Sequence, residues 1–182
     1  MSRGAYLEVL LVDDDPLDVM LFTTAVRKST FNIHLHTASS AQQAMDYLQG
    51  KGPCEDRSLH PMPDVMVLDL IMPGMTGADL LAWRRGSGKF LKLPIVVLSG
   101  AADEEQTRQA LALGARAYLA KPAAFEGWKD VLQVVWNTGL AHKLAGGSTL
   151  QSRPLKGRKL GTLRLSRERG PKQALPRERA RQ

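Results

Sequence analysis

The 182-residue sequence predicts an α/β fold in which a parallel sheet is covered by helices on both faces. Short apolar runs of β type alternate along the chain with segments of helical periodicity, a pattern typical of such sheets. Four of the apolar runs end at a polar group, namely Asp13, Asp69, Ser99 and Lys121. The carboxyl ends of parallel strands form the edge where open α/β sheets build their sites, so we expect one polar site there.

Capping residues mark the first two helices. Asp15 is an N-cap candidate, and Pro16 occupies the first helical position after the first strand. Ser40 opens a capping-box pattern with Gln43, and Gly50 ends the helix that follows. The elements predicted here are strands at residues 9–12 and 33–38, helices at 16–28 and from 40 to near 50, and a long loop at 51–63.

Glycine and proline delimit the second half of the domain. Pro73, Gly74 and Gly77 favour a turn after the third strand, and Gly114 ends the helix that begins at Asp103. The elements predicted here are strands ending at Asp69 and Ser99, a strand at 116–120, and helices at about 79–85, 103–113 and 125–143.

Charge divides the chain into two parts. Residues 143–182 hold 12 Lys or Arg and 2 Asp or Glu, a balance of 12 − 2 = +10. Residues 1–142 hold 13 and 16, a balance of 13 − 16 = −3, so the net charge of +7 describes the tail rather than the domain. We therefore predict a folded domain over residues 1–145 and a basic, disordered tail over 146–182.

Compartment is indicated by cysteine content and hydropathy. Cys54 is the single cysteine, which rules out an intrachain disulfide and favours a reducing compartment. No stretch approaches the apolar length that spans a bilayer, and the N-terminus lacks the apolar core of a signal peptide. These features predict a cytoplasmic protein with no membrane association.

The polar groups at the strand ends favour phosphoryl chemistry. Asp13, Asp14 and Asp69 on one site would repel one another unless a cation neutralised them, and an all-oxygen ligand set suits Mg²⁺. An aspartate carboxylate can attack phosphorus, while a lysine and a hydroxyl stabilise charge on the transferred oxygens. Asp69, Lys121 and Ser99 fit these three roles.

Each signal also has a purely structural interpretation. An aspartate triplet before a helix, as at Asp13 to Asp15, is by itself usually a solvated capping cluster. Tyr118 alone is more often a core aromatic. Asp18 is interpreted as an exposed helix residue. Because carboxylates, a hydroxyl and a lysine follow one another at the ends of successive strands, a functional site is favoured over the purely structural interpretation.

Five short motifs follow one another in order between residue 8 and about residue 143. They are Leu11-Val12-Asp13-Asp14, Val67-Leu68-Asp69, Met72-Pro73-Gly74 with Thr76-Gly77, Val97-Leu98-Ser99-Gly100, and the segment 114–122. Together these motifs resemble a response regulator receiver domain. The resemblance implies a flavodoxin-like, doubly wound, five-stranded parallel sheet of strand order 2-1-3-4-5 with five helices.

The resemblance also implies roles for single residues. Asp69 would be the phosphoacceptor, and a Mg²⁺ ion would be held by Asp13, Asp14, Asp69 and the backbone carbonyl of Ile71. Lys121, followed by a cis bond to Pro122, would bind phosphate. Ser99 would move toward the phosphoryl group, and Tyr118 would turn inward with it. Ile71 and Ala101 cannot orient water, which predicts slow dephosphorylation among receivers.

The family resemblance implies partners as well. A receiver takes its phosphoryl group from a sensor histidine kinase and signals through protein contacts. The long loop before the third strand, and the lack of room in residues 144–182 for a compact effector, are similar to single-domain regulators that partner bacterial phytochromes.

Two functions of other classes are less well supported. A phosphoaspartyl hydrolase of the dehalogenase type needs a second carboxylate two residues after the nucleophile, and position 71 is Ile. Nucleic-acid binding would rest on the tail, which has almost no aromatic residues for stacking and no folded motif. The tail cations in question are Lys156, Arg158, Lys159, Arg164, Arg167 and Arg169.

The last predicted helix carries an apolar stripe wider than the ~100° that covering one sheet face requires. We therefore expect part of it to stay exposed and to form a homodimer through this helix. The alternative is that the early tail, with Leu144 and Leu150, folds back over the stripe. The stripe consists of Phe125, Trp128, Val131, Leu132, Val135, Trp136 and Leu140.

Overall fold

The computed structural model describes residues 6–100 and 103–146. The predictions that concern the tail, Leu150 and Ala101 lie outside these residues. The fold is a five-stranded parallel sheet of order β2-β1-β3-β4-β5 with five α-helices, as predicted. The elements are β1 (Leu7–Val12), α1 (Pro16–Lys28), β2 (Ile33–Ala38), α2 (Ala41–Gln49), β3 (Val65–Leu68), α3 (Gly77–Ser87), β4 (Ile95–Ser99), α4 (Glu104–Ala112), β5 (Ala117–Ala120) and α5 (Trp128–Leu144).

Alternate residues of the central strands face opposite layers of helices. Leu10 and Met66 belong to a core shared with α2, α3 and α4. Val9 and Val67 belong to a second core shared with α1 and α5. This alternation explains the nearly continuous apolar runs of the sequence, since both faces of each central strand are buried.

Strand register brings the polar strand ends together. Val12 pairs with Leu68, so Asp13 and Asp69 follow side by side, and the Asp69 amide donates to the Val12 carbonyl at 2.9 Å. On the other side of β4, the amide of Lys121 donates to the carbonyl of Ser99 at 2.7 Å. The sheet itself therefore delivers these groups to one edge.

Helix α3 starts two residues before the predicted position. Thr76 caps it, accepting from the Asp79 amide at 3.2 Å, while the Asp79 carboxylate accepts from the Thr76 amide at 2.9 Å. Gly77 is therefore the first helical residue rather than part of the turn. A side chain at this position would collide with the backbone carbonyl of Asp69, which explains why glycine stands there.

The chain itself covers most of the apolar stripe of the last helix, and the part that stays accessible is limited to the partly buried Phe125, Trp136 and Leu140. Its central residues are buried against the sheet and α1, and Trp136 is partly buried, with its ring stacked on Phe31 at 5.2 Å between centroids. The sequence interpretation assumed that only the sheet covers this helix, whereas α1 and Phe31 cover its flank. Leu144 is 79% exposed and does not fold back.

Within the described ranges, no helix combines the length and the apolar character needed to cross a membrane.

Candidate functional site at the carboxyl edge of the sheet

Three carboxylates meet where β1 and β3 end. Asp13, Asp14 and Asp69 each present an oxygen within 4.8 Å of the oxygens of the other two. Asp13 and Asp69 are only 2% and 5% exposed. Burial and the nearby Asp69 charge raise the pKa of Asp13, despite the hydrogen bonds that it accepts from Lys121 and the Asp15 amide.

Lys121 reaches this cluster from the end of β5. Its Nζ lies 2.9 Å from Asp13 Oδ2 and 3.0 Å from Asp69 Oδ2. Burial alone would lower the pKa of Lys121, but hydrogen bonds to Asp18, Asp13 and Asp69 outweigh it and raise that pKa above its usual value. The lysine therefore carries its charge at neutral pH.

Asp18 is a site neighbour that the sequence interpretation missed. The sequence predicts an exposed helix residue, yet the Asp18 side chain is 22% exposed and its Oδ2 lies 2.7 Å from Lys121 Nζ. One signal was available. The Asp15 cap, which accepts from the Leu17 amide at 2.8 Å, sets where α1 begins and hence the helical phase that turns position 18 toward the sheet edge.

The donor set fits a hard divalent cation. Four carboxylates and one ammonium meet here, a formal balance of −4 + 1 = −3. Carboxylate oxygens are the ligands that Mg²⁺ prefers. The residues that would hold it are Asp13, Asp14 and Asp69. The Ile71 amide donates to Asp69 Oδ1 at 3.2 Å, so the backbone of Ile71 also lies beside the site.

Ser99 and Tyr118 lie on the neighbouring strands β4 and β5, two register levels apart. Ser99 is fully buried at the end of β4, and its hydroxyl has no hydrogen-bond partner in the described part of the chain. Tyr118 pairs with Val97, which precedes Ser99 by two residues. Its side chain is partly buried against the core that is shared with α2, α3 and α4. The Ile71 side chain is 60% exposed.

One detail implied for the lysine is wrong. The peptide bond between Lys121 and Pro122 is trans, like every other peptide bond in the described ranges. For bonds to proline, the trans form is favoured by about 0.5–1 kcal/mol. Lys121 reaches both Asp13 and Asp69 in this form, so its placement does not require the cis bond.

Comparisons with known proteins show which proteins this chain is similar to. The family model described as a response regulator receiver domain matches residues 9–133. The transcriptional regulatory protein KdpE of Mycobacterium tuberculosis is 35% identical over 114 residues, which cover 63% of this chain and only 44% of that protein.

Solved structures of response regulators are similar to this chain as well. The phosphorylated cyanobacterial phytochrome response regulator RcpA has a TM-score of 0.66 and 26% identity, covering 75% of this chain and 96% of that one. A response regulator in red light signaling of R. palustris has a TM-score of 0.68 and 26% identity, covering 72% and 92%.

Proposed function

Because this chain belongs to the response regulator receiver domain family, whose members act in two-component signalling, we propose that Asp69 is its phosphoacceptor. The observation that carries the proposal is the setting of this carboxylate. It is buried at the end of β3, accepts a hydrogen bond from the Lys121 ammonium, and lies within 4.8 Å of the Asp13 and Asp14 oxygens. The protein is then an acceptor that carries a signal rather than an enzyme with a separate substrate.

The donor in this proposal is a phosphohistidine of a sensor histidine kinase. A carboxylate oxygen of Asp69 forms a bond to phosphorus as the bond from phosphorus to the histidine nitrogen breaks, and the imidazole leaves. The Lys121 ammonium, hydrogen-bonded to Asp69 at 3.0 Å, stabilises charge on the phosphoryl oxygens. Asp13, Asp14, Asp69 and the Ile71 carbonyl would hold a magnesium ion, which would supply further neutralisation of charge on the phosphoryl oxygens.

Ser99 and Tyr118 are the proposed route by which phosphorylation changes the surface. Ser99 pairs with Ala120, the residue directly before Lys121, so its buried hydroxyl lies close to the carboxyl edge of the sheet. This hydroxyl can donate to a phosphoryl oxygen. Tyr118 lies on edge strand β5 and is only partly buried, so a shift there changes the outer face of the sheet. The output is a change in protein contacts.

A bacterial phytochrome kinase is the partner class that we favour. The support is the similarity to response regulators of phytochrome and red light systems over nearly their whole chains. Helix α1, which carries Asp18 beside the site, exposes two apolar side chains: Leu17 and Met20 are each 55% exposed. An apolar surface next to the acceptor suits docking of the kinase helix that bears the phosphohistidine.

The homodimer stays a prediction, with less support than the sequence suggested. The apolar stripe of α5 is mostly engaged in the core, and Leu144 is its strongly exposed neighbour. Sedimentation of the phosphorylated and unphosphorylated protein at tens of micromolar measures the association directly. The proposed compartment is the cytoplasm, where Cys54 stays reduced.

Phosphorylation by acetyl phosphate tests the acceptor. We expect labelling of the parent protein in the presence of Mg²⁺, none in its absence, and none for Asp69→Asn under either condition. Asp130→Asn is the matched control, because Asp130 is an exposed aspartate on α5, and it should be labelled like the parent. Labelling of Asp69→Asn at the parental rate would overturn the assignment.

A further inference from the structure

Asp18 makes the shortest of the three contacts that hold the Lys121 ammonium. Its Oδ2 lies 2.7 Å from Nζ, compared with 2.9 Å for Asp13 and 3.0 Å for Asp69. The two side chains are 103 residues apart in sequence and are 22% and 12% exposed. Charge-assisted hydrogen bonds of this length are the strong ones.

Donor counting separates Asp18 from the other two carboxylates. An ammonium has three N–H donors, and here three aspartates accept them. Asp13 and Asp69 also belong to the cluster of cation-ligand candidates, whereas Asp18 does not belong to the one such cluster found in the described residues. Of the three acceptors, Asp18 is the one that is not also a candidate ligand of the cation.

We propose that Asp18 is a positioning residue that holds the Lys121 ammonium in place throughout phosphorylation. This inference rests on the proposed function. When Asp13 and Asp69 turn toward a cation and a phosphoryl group, two of the three donors of Lys121 must find new acceptors. The third stays on Asp18, which keeps the flexible lysine stem directed at the site.

The contact also attaches α1 to the chemistry. Asp18 lies in the first turn of α1, directly after the Asp15 cap and Pro16, and that backbone is held by hydrogen bonds of the helix start. An acceptor fixed on a rigid element orients a long side chain better than solvent does. Without it, Lys121 would divide its donors between Asp13 and Asp69 and oppose the binding of a cation there.

Two variants separate orientation from charge. Asp18→Ala removes the acceptor, while Asp18→Asn keeps an acceptor oxygen and loses the charge. Asp15→Asn is the matched control: it removes a nearby charge, Asn caps helices as well as Asp, and Asp15 contacts the Leu17 amide rather than Lys121. Thermal melts show whether each variant is folded.

A double-mutant cycle with Lys121→Ala gives the decisive measurement. At saturating Mg²⁺, Asp18→Ala should slow labelling by acetyl phosphate about tenfold in the parent but less than about twofold in the Lys121→Ala background. Asp18→Asn should fall between the parent and Asp18→Ala, and Asp15→Asn should match the parent. Equal slowing by Asp18→Ala in both backgrounds, or the same slowing by Asp15→Asn, would overturn the proposal.

Calorimetric titration with Mg²⁺ alone supplies a readout that needs no phosphodonor. Asp18→Ala should weaken Mg²⁺ binding about threefold when Lys121 is present and leave it unchanged when Lys121 is absent. An equal change in both backgrounds would contradict a role exerted through the lysine. This readout is independent of which aspartate accepts phosphate, so failure of the Asp69 assignment and failure of the Asp18 role give different results.

Discussion

Two cations of the described residues, the buried Arg84 and the partly buried Lys121, have opposite surroundings. Arg84 of α3 is 5% exposed and donates to backbone carbonyls of Phe90, Leu91 and Leu93 at 2.6–3.0 Å, and to that of Gly114 at 3.5 Å. Lys121 is 12% exposed and donates to three carboxylates at the carboxyl edge of the sheet. One cation is held by neutral groups of the main chain, the other by charged side chains.

The difference teaches which part of the domain is fixed and which is exchangeable. Main-chain carbonyls cannot leave Arg84 without moving the loops after α3 and α4, so the planar guanidinium fastens those loops. The carboxylates around Lys121 carry excess negative charge and rotate on short side chains, so a cation or a phosphoryl group can replace one of the contacts. A site for chemistry needs this second kind of surrounding.

The largest expected loss of stability follows substitution of Arg84, whose contacts are fixed. Arg84→Ala should lower the free energy of unfolding by roughly 3–5 kcal/mol, because several buried carbonyls lose their donor at once. Arg85→Ala is the matched control: its neighbouring guanidinium makes one exposed hydrogen bond, to the Ala112 carbonyl at 2.8 Å, and the loss should be below about 1 kcal/mol. Chemical denaturation measures both. Similar losses for the two variants would contradict the contrast.

A smaller loss of stability, which depends on magnesium, is expected on substitution of Lys121. Lys121→Ala should lower the free energy of unfolding by about 1–3 kcal/mol without Mg²⁺, since the remaining carboxylates repel one another, and millimolar Mg²⁺ should restore most of it.

Lys143→Ala is its control, because Lys143 also pairs with a buried carboxylate, Asp64, at 3.0 Å, but lies outside the cation cluster. Its loss of stability should not respond to Mg²⁺. Denaturant titrations with and without the ion measure both variants. Equal recovery of the two on adding Mg²⁺ would show that the ion acts generally rather than at the carboxyl edge.

The smallest expected effect is on the rate of dephosphorylation, and it concerns only the site around Asp69 and Lys121. Ile71 is apolar and 60% exposed beside Asp69, so Ile71→Asn should offer a polar group to attacking water and speed dephosphorylation about fivefold. Ile71→Leu should decay like the parent. Loss of label after removal of acetyl phosphate gives the rates, and identical decay of parent and Ile71→Asn would show that position 71 does not control hydrolysis.

Most of the fold followed from local signals. Caps and proline placed α1 at Pro16–Lys28, and the alternation of apolar runs implied a sheet covered on both faces. The alignment of Asp13 with Asp69 was expected because parallel strands end at a common edge. The Thr76 and Asp79 capping box was present in the sequence but was overlooked beside the glycines, so α3 was predicted too short.

Contacts between distant elements were beyond the reach of sequence reasoning. The helical phase set by the Asp15 cap turns Asp18 toward the sheet edge, but the sequence does not reveal that a lysine 103 residues away lies there. The width of the stripe on α5 exceeds one sheet face and therefore predicts a dimer, yet Phe31 and α1 cover much of the part that the sheet does not. In both cases the deciding neighbour comes from another layer of the fold.

The close approach of Gly77 to Asp69 has a mechanical consequence. The first turn of α3 touches the backbone carbonyl group of Asp69 with no room for a methyl group, and the Gly77 amide also donates to the Leu70 carbonyl at 3.1 Å. Tightly packed backbones of this kind transmit displacement instead of absorbing it. Asp69 and the start of α3 are therefore mechanically coupled, and we expect a shift of the Asp69 main chain to be passed on to the first turn of α3.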